Sequence, residues 1–231
     1  MLLRPSVIER FVLSVEATVS GPTRRTLRTN LRYVAARLGA GPSPARLARE
    51  RAKKPYTSAQ IAAYLALADT QPTCSRRMRA GGLICLGAGA GLMGADLRLV
   101  RGTDVVARSG GIVVCVAGRR PRAVPVLAAY HDRLAEVSAF FAAGFVVGGT
   151  DPLRRNVTTA LIASLAGGSD LPRLDVGRLR STWLAAVAES IGLRAFMDAA
   201  GICCSQRLGD VVAALPAGDE TAAVTLLGGA R

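Results

Sequence analysis

Residues 80–97 read AGGLICLGAGAGLMGADL and form the part of this 231-residue chain that says most about its fold. The first sixteen of them, Ala80 to Ala95, are the longest run without a charged side chain, and Arg76, Arg77 and Arg79 come just before it. Because a membrane span needs about 20 apolar residues, this run is too short to cross a bilayer. We therefore predict a buried helix over about Ser75–Ala90 in a soluble protein.

The same stretch contains the pattern G-x-G-x-x-G at Gly89, Gly91 and Gly94. In dinucleotide-binding units, such glycines follow a strand and lead into a helix whose N-terminus holds the pyrophosphate. The residues before Gly89 make a poor strand, and no acidic residue lies about 20 positions further on. In a chain with 25 glycines, chance explains the pattern better. Nucleotide binding through Gly89–Gly94 stays open as an alternative function.

The chain is strongly basic, with 30 Lys and Arg residues against 16 Asp and Glu residues, a formal net charge of +14. The excess is uneven, because residues 1–55 hold twelve of the basic residues and only three of the acidic ones. An acidic partner is expected from such a balance, and nucleic acid is the commonest one.

Other residue types exclude whole classes of site. The single histidine, His131, rules out metal sites that need two histidines from one chain, and the only lysines are Lys53 and Lys54. No C-x-x-C pair occurs, so we predict reduced thiols in a cytoplasmic protein without a cofactor. The cysteines are Cys74, Cys85, Cys115, Cys203 and Cys204.

Residues 1–50 predict a small basic helical domain. One helix is expected from Pro5 to about Ser20, and a second, capped by Thr23, from there to about Leu38. Gly21-Pro22-Thr23 is expected to break the chain between them. A short basic helix over 45–51 and a linker over 51–56 complete this part.

Residues 57–231 predict a mostly helical domain with one β-hairpin. Apolar runs over 112–116 and 123–126 flank Gly118-Arg119-Arg120-Pro121, a turn with a basic tip, and Pro125 favours an edge position. A helix is expected to start at Thr57 or Ser58. Further helices are predicted over about 127–143, 155–166, 176–190, 193–200 and 205–214, with a last short element over 222–227. The fold class is mainly α with a small antiparallel sheet.

The order of these segments resembles the tyrosine recombinases, the phage integrase family. The resemblance rests on Tyr56–Ile61, Gly91–Leu97, the hairpin ending in Val124-Pro125-Val126, and Gly177–Trp183. It covers about residues 20–212, and the order and spacing of degenerate motifs carry it. It implies a recombinase-like catalytic domain over 57–231 after a core-binding-like domain over 1–50.

The resemblance also implies which residues should act, and most of them are missing. The family uses a tyrosine that attacks the scissile phosphate, two arginines that bind it, and lysine and histidine groups that assist proton transfer. Met93 occupies the position of the first arginine, although the following acid is kept as Asp96. Gly177 replaces the histidine of the His-x-x-Arg motif, while Arg180 retains its arginine.

Three further positions depart from the family pattern. The hairpin lysine has only Arg119 or Arg120 as a counterpart. The pKa of an arginine is too high for it to act as a general acid. Gly201-Ile202 replaces the family's Gly-His pair. The nucleophile should fall near Val211, but all four tyrosines lie upstream, at positions 33, 56, 64 and 130.

The resulting hypothesis is a DNA-binding protein in a recombination or integration context that lacks strand-transfer activity, hence an inactive accessory protein, a regulator or a mobile-element relic. Expected partners are double-stranded DNA and an active recombinase or a second copy, reached through the C-terminal tail. Alternatives are an active recombinase with a nucleophile supplied in trans or misaligned here, and a protein–protein module. Asp96 and Arg180 are the retained catalytic positions. The expected DNA contacts are Arg24, Arg25, Arg28, Arg32, Lys53, Lys54, Arg119, Arg120, Arg122 and Arg178.

Overall fold

The computed structural model describes residues 4–39, 53–118, 121–151, 153, 155–168, 170–190 and 193–201. The contacts divide the chain into two units, Met1–Arg51 and Ala52–Arg231. Three predicted segments, 45–51, 205–214 and 222–227, lie outside the described residues, as do the hairpin arginines 119 and 120.

Residues 4–39, the described part of the first unit, form two helices, α1 (Pro5–Ser14) and α2 (Gly21–Arg37). The predicted helix break is displaced, because α1 ends at Ser14 and Gly21-Pro22 already belong to the first turn of α2. Proline is tolerated there, since the first-turn N–H groups have no helical partner to lose. The Ser20 hydroxyl, rather than Thr23, caps α2 by accepting a hydrogen bond from the Thr23 N–H at 3.4 Å.

The apolar core described for this unit is small. Ile8, Val12 and Ala35 are its buried residues, with Leu31 packed against them. Full burial of one such aliphatic side chain contributes about 1.5–3 kcal/mol. An ion cluster between the helices adds to this contact: Glu9 accepts hydrogen bonds from both Arg28 and Arg32.

The second unit is built around a buried helix, as the sequence predicted. Helix α3 (Ser58–Asp69) starts at Thr57, whose hydroxyl and the Gln60 side chain form a reciprocal capping box. Helix α4 (Cys74–Ala90) follows, and every residue from Ala80 to Ala90 is buried. The glycine at position 89 lets α4 pack closely against Tyr130, because a Cβ on Gly89 would lie 2.9 Å from the Tyr130 ring.

The remaining elements surround α4. In chain order they are α5 (Gly94–Leu97), β1 (Val105–Arg108), β2 (Gly111–Val116), β3 (Arg122–Pro125), α6 (His131–Phe141), α7 (Val157–Ala163), α8 (Val176–Ser190) and α9 (Leu193–Ala200). Short 3₁₀ turns cover Gly102–Asp104 and Ala128–Tyr130. Helices α3, α6, α7 and α8 all contact α4. The predicted helix over 127–143 is shorter than expected, because its first residues form the second of these 3₁₀ turns.

The predicted hairpin is confirmed and is part of a larger sheet. Strands β2 and β3 pair antiparallel with Val114 opposite Val124, and β3 lies at an edge, where Pro125 is tolerated. The third strand, β1, pairs antiparallel with the other side of β2. The sheet therefore has the order β1-β2-β3.

No helix in the described parts of the chain has the length and apolar character that a membrane crossing requires.

Candidate functional site

The glycine pattern at 89–94 follows a helix and not a strand, although its last glycine, Gly94, begins the four-residue helix α5. Gly91 terminates α4 in the left-handed conformation, with φ of 62°, and the Leu92 N–H donates to the Leu86 carbonyl at 3.0 Å. This is a Schellman-type helix end, in which glycine supplies the positive φ. A dinucleotide fingerprint needs a strand before the glycines and a helix N-terminus after them. The nucleotide-binding alternative is therefore wrong for this stretch.

Beyond this turn, Arg122 contacts one of the two retained family positions, Asp96, and the other, Arg180, contacts the same end of α9 as Arg122 does. Arg122 pairs with Asp96 at 2.9 Å between Nη2 and Oδ2, and its Nε donates to the Ala199 carbonyl at 3.1 Å. Arg180 donates to the Ala200 carbonyl at 2.7 Å and to the Gly91 carbonyl. We call Asp96, Arg122, Arg180 and the three carbonyls the arginine cluster.

The arginines of the arginine cluster bind oxygens of the chain itself. Two of the carbonyls belong to the last residues of α9, and the carboxyl end of a helix carries partial negative charge. Asp96 supplies a full carboxylate. Much of the hydrogen-bonding capacity of both guanidinium groups is therefore used internally. The sequence suggested a phosphate contact for Arg122. It gave no indication that Arg122 and Arg180 would instead contact backbone carbonyls.

Two positions that the family resemblance assigned to catalysis carry no phosphate-binding group. Met93 precedes α5, is 40% exposed and makes no capping hydrogen bond. Gly177 lies in the first turn of α8, and its backbone N–H donates to Asp175 Oδ1 at 2.7 Å. A thioether and a bare Cα offer neither positive charge nor a proton for transfer.

Three of the four tyrosines are buried in the second unit. Tyr64 donates its hydroxyl proton to the Pro172 carbonyl at 2.6 Å, and the Tyr56 hydroxyl accepts from the Asp175 N–H at 3.0 Å. Burial raises the pKa of Tyr64 to about 12 and also raises the pKa of Tyr130. A raised pKa disfavours the phenolate, so Tyr64 and Tyr130 are poor nucleophiles. Tyr33 lies in the other unit.

The arginines of α2 that were expected to contact DNA have different surroundings. Arg28 is 6% exposed and pairs with Glu9 at 2.5 Å, which makes it a poor candidate for a phosphate contact. Arg32 pairs with the same carboxylate at 2.8 Å, and Arg24 pairs with Glu16. Arg25 is exposed.

The basic residues at the start of the second unit attach that segment to α8. Lys53 pairs with Asp175 at 2.5 Å, and Arg178 donates from Nε to the Lys54 carbonyl at 2.9 Å. The Arg178 guanidinium also lies 3.8 Å from the centre of the Tyr56 ring. Burial raises the pKa of Asp175, but hydrogen bonds from Lys53 and the Arg178 N–H outweigh it and hold the pKa below its usual value. The Lys54 side chain is exposed.

Replacing Asp96 by asparagine should destabilise the second unit by about 1.5 kcal/mol, because a partly buried charge-assisted hydrogen bond to Arg122 is weakened. Trp183, the only tryptophan in the chain, is fully buried in this unit. Its fluorescence during urea unfolding therefore measures the effect directly.

The matched control is Glu136→Gln, which removes the carboxylate of an exposed pair with Arg133 at 3.6 Å. Exposed pairs of this kind contribute well below about 1 kcal/mol. A loss for Asp96→Asn no larger than for Glu136→Gln would contradict the role given to Asp96 in the arginine cluster.

Comparison with solved structures identifies the fold as that of the tyrosine recombinases. The Tn1549 transposon integrase in complex with circular intermediate DNA is 13% identical over 97% of this chain and 84% of its own, with a TM-score of 0.60. The XerH recombinase bound to palindromic difH substrate is 12% identical over 97% and 70%, with a TM-score of 0.64. A lambda integrase tetramer bound to a Holliday junction is 14% identical over 90% and 64%, with a TM-score of 0.57.

The structural similarity establishes a shared fold and leaves the activity open. No protein-family model matches the sequence, and no curated protein sequence matches it significantly.

Proposed function

We propose that this chain binds double-stranded DNA through a recombinase fold and does not break or rejoin it. The proposal places it in DNA recombination or integration as an inactive accessory protein or regulator. It rests above all on one observation: the chain contains four tyrosines, and none of them lies beyond position 130.

Strand transfer by this family's chemistry needs a nucleophile and groups that move protons. Tyr56, Tyr64 and Tyr130 are buried, and the first two use their hydroxyls in hydrogen bonds within the unit. No tyrosine occurs near Val211, the position at which the resemblance places the family's nucleophile. The internal hydrogen bonds of the arginine cluster support the same conclusion, because a phosphate would have to displace them.

DNA binding does not need this chemistry. Affinity for duplex DNA comes largely from phosphate contacts and the release of counterions, and the chain carries a net charge of +14. The solved structures with the same fold include proteins in complex with DNA. Exposed basic side chains occur in both units; they include Arg10 and Arg25 in the first and Lys54, Arg108 and Arg155 in the second.

The proposed partners are an active recombinase or a second copy of this chain, with the C-terminal tail as the attachment. If this chain binds the DNA site of an active recombinase without cleaving it, the chain would alter how the active enzyme assembles on that site. Sedimentation of the chain alone, and then mixed with a recombinase, tests this part of the proposal.

The central test is a titration of the full chain with a nicked duplex at two salt concentrations, followed by a denaturing gel of the same samples. If about six phosphates are contacted, affinity should fall about 10³-fold between roughly 50 and 200 mM salt. The gel should show no covalent protein–DNA adduct. An active tyrosine recombinase on its own nicked site serves as the positive control for the adduct.

Two results would overturn the proposal. Binding that is absent at low salt, or insensitive to salt, would refute DNA binding through phosphates. A covalent adduct would refute the inactive site and favour a nucleophile supplied in trans or a different alignment.

A further inference from the structure

A cleft of about 680 Å³ opens in the second unit between α4, residues 148–151 and α7. We call it the α7 cleft. Most small-molecule sites are concave regions of about 300–1,000 Å³, lined by apolar side chains and a few polar groups. The α7 cleft has a size within that range, so its lining decides what it could bind.

Two arginines of α4 hold the two rims of the α7 cleft in place. Arg79 donates from Nη1 to the Gly148 carbonyl on one rim. One turn earlier on α4, Arg76 donates from Nη2 to the Ser164 carbonyl, just beyond the end of α7. Gly148 and Ser164 both line the cleft. Because the rims are fixed by the fold, a ligand would enter with little reorganisation of the protein.

The guanidinium of Arg79 lines the α7 cleft and has a fixed orientation. Nη1 lies 3.3 Å from the Phe145 carbonyl oxygen, and the guanidinium carbon lies 4.9 Å from the centre of the Phe141 ring. Nε and Nη2 donate to none of the described residues. These two nitrogens form an edge that can bind a carboxylate through two parallel hydrogen bonds.

Arg79 is also partly removed from water. Burial lowers the pKa of Arg79, which shows that the guanidinium has lost part of its hydration. Charges attract more strongly where water is excluded. An anion at the free edge of Arg79 would therefore be held more tightly than one at a fully solvated arginine.

A second guanidinium, that of Arg155, lines the α7 cleft just before α7 begins. Arg155 is exposed, and across the described parts of the chain it has neither an ion pair nor a hydrogen bond. Asp151 supplies a carboxylate to the lining, but its Oδ1 accepts a hydrogen bond from the Leu153 N–H at 2.7 Å. Two positive charges and one partly engaged negative charge favour an anionic ligand.

The wall of the α7 cleft that α7 contributes is apolar. Val157, Ala160 and Leu161 line it, and their spacing places them on one side of the helix. Val157 is buried, whereas Ala160 is exposed and Leu161 half-buried. A bare inorganic anion would leave this wall in contact with water, but a ligand with a hydrocarbon part would cover it, which is favourable.

We propose that the α7 cleft binds a small organic carboxylate with an apolar body. The free edge of Arg79 holds the carboxylate, Arg155 adds a second positive charge, and the hydrocarbon part lies on the wall formed by Ala160 and Leu161. This inference goes beyond the proposed function and does not depend on it, because it concerns a small-molecule ligand and not DNA.

The test uses cinnamate as the probe and the full chain with labelled methyl groups, observed by NMR in the absence of DNA. Cinnamate should shift the methyl resonances of Val157 and Leu161 with a Kd of about 1 mM, as expected for a probe of this size. Cinnamamide has the same body without the charge, and acetate has the charge without the body. Each should bind about tenfold more weakly.

The contribution of Arg155 is measured with Arg155→Ala, and Arg108→Ala is the matched control. Both variants remove one exposed arginine from the second unit, but Arg108 lies on β1 and does not line the cleft. Arg155→Ala should weaken cinnamate binding about tenfold and leave cinnamamide binding unchanged. Arg108→Ala should change neither.

The electrostatic preference of the α7 cleft is measured with Ala160→Glu and Ala160→Gln. The two introduced side chains have similar size and helix propensity, so they differ mainly in charge. The glutamate should weaken cinnamate binding about tenfold relative to the glutamine, because it repels the carboxylate. Both variants should bind cinnamamide equally. Trp183 fluorescence during urea unfolding shows that each variant is folded.

Three results would overturn this inference. The first is an absence of cinnamate-induced shifts at Val157 and Leu161. The second is equal binding of cinnamate and cinnamamide, which would make the cleft an apolar surface without anion selectivity. The third is equal binding of cinnamate and inorganic phosphate, which would make it a general anion site. None of these results bears on DNA binding, and failure to bind DNA would leave this inference standing.

Discussion

Replacing Glu9 by alanine is expected to unfold the N-terminal helix pair at neutral pH. The Arg28 side chain is only 8% exposed and pairs with Glu9, so the substitution leaves a buried guanidinium without its carboxylate. Breaking such a pair from one side costs about 3–5 kcal/mol. The described core of this unit has only three buried apolar residues, so a loss of this size is severe. Hydrogen exchange of the backbone amides over 5–37 in the full chain measures the effect.

The matched control is Glu16→Ala, because Glu16 pairs with Arg24 but is itself 63% exposed. The Arg24 side chain is 17% exposed, but water screens a pair whose carboxylate is exposed, so amide protection should fall less than in Glu9→Ala. Equal loss of protection in the two variants would contradict the role given to Glu9. A double replacement, Glu9→Leu with Arg28→Met, should recover most of the protection, since an apolar pair of similar volume needs no counter-ion.

The same cluster predicts a dependence on pH. Hydrogen bonds from Arg28, and then from Arg32, hold the pKa of Glu9 below its usual value against the opposing effect of burial. A carboxyl with a lowered pKa in the folded state stabilises the fold above its unfolded pKa of about 4.3. That contribution is lost as the pH falls through the lower folded value. Amide protection over 5–37 should therefore decline below about pH 4 in the wild type.

The second large effect is expected from Gly91→Ala. Gly91 has φ of 62°, a conformation that costs other residues about 1–2 kcal/mol. A Cβ there would also collide with the ring of Trp183, which is fully buried. Overpacking of this kind adds about 1–3 kcal/mol. The total of about 3 kcal/mol should lower the urea midpoint recorded by Trp183 fluorescence.

Gly110→Ala separates the two contributions to this loss. Gly110 also has a positive φ, 102°, but a Cβ there would meet nothing within 4 Å. The control should therefore show only the conformational part of the loss. If the two variants lowered the midpoint equally, the close contact between Gly91 and Trp183 would be excluded as a cause.

The absence of a tyrosine beyond position 130 can be read directly from the sequence, whereas the arginine cluster cannot. Positions such as Met93 and Gly177 are defined by motif spacing, and the absence of a downstream tyrosine is a matter of composition. The bonds of Arg180 to the Gly91 and Ala200 carbonyls, in contrast, join residues 89 and 20 positions apart. Backbone carbonyls leave no mark in a sequence, so an arginine that caps a helix end looks like one that binds DNA.

The sequence by itself determined the buried helix before Gly91, the hairpin around residue 118, most of the helix positions and the absence of any tyrosine after position 130. Local patterns suffice for these features. Periodicity and turn residues each describe a single element, and the absence of a residue type follows from the composition alone. Only the tertiary structure decided which of the many arginines hold the fold together and which face solvent. Arg25 and Arg28 lie three residues apart on one helix, yet Arg28 is buried and Arg25 is exposed. The reason is physical: the environment of a long charged side chain is set by the element packed against it, and that element is distant in sequence.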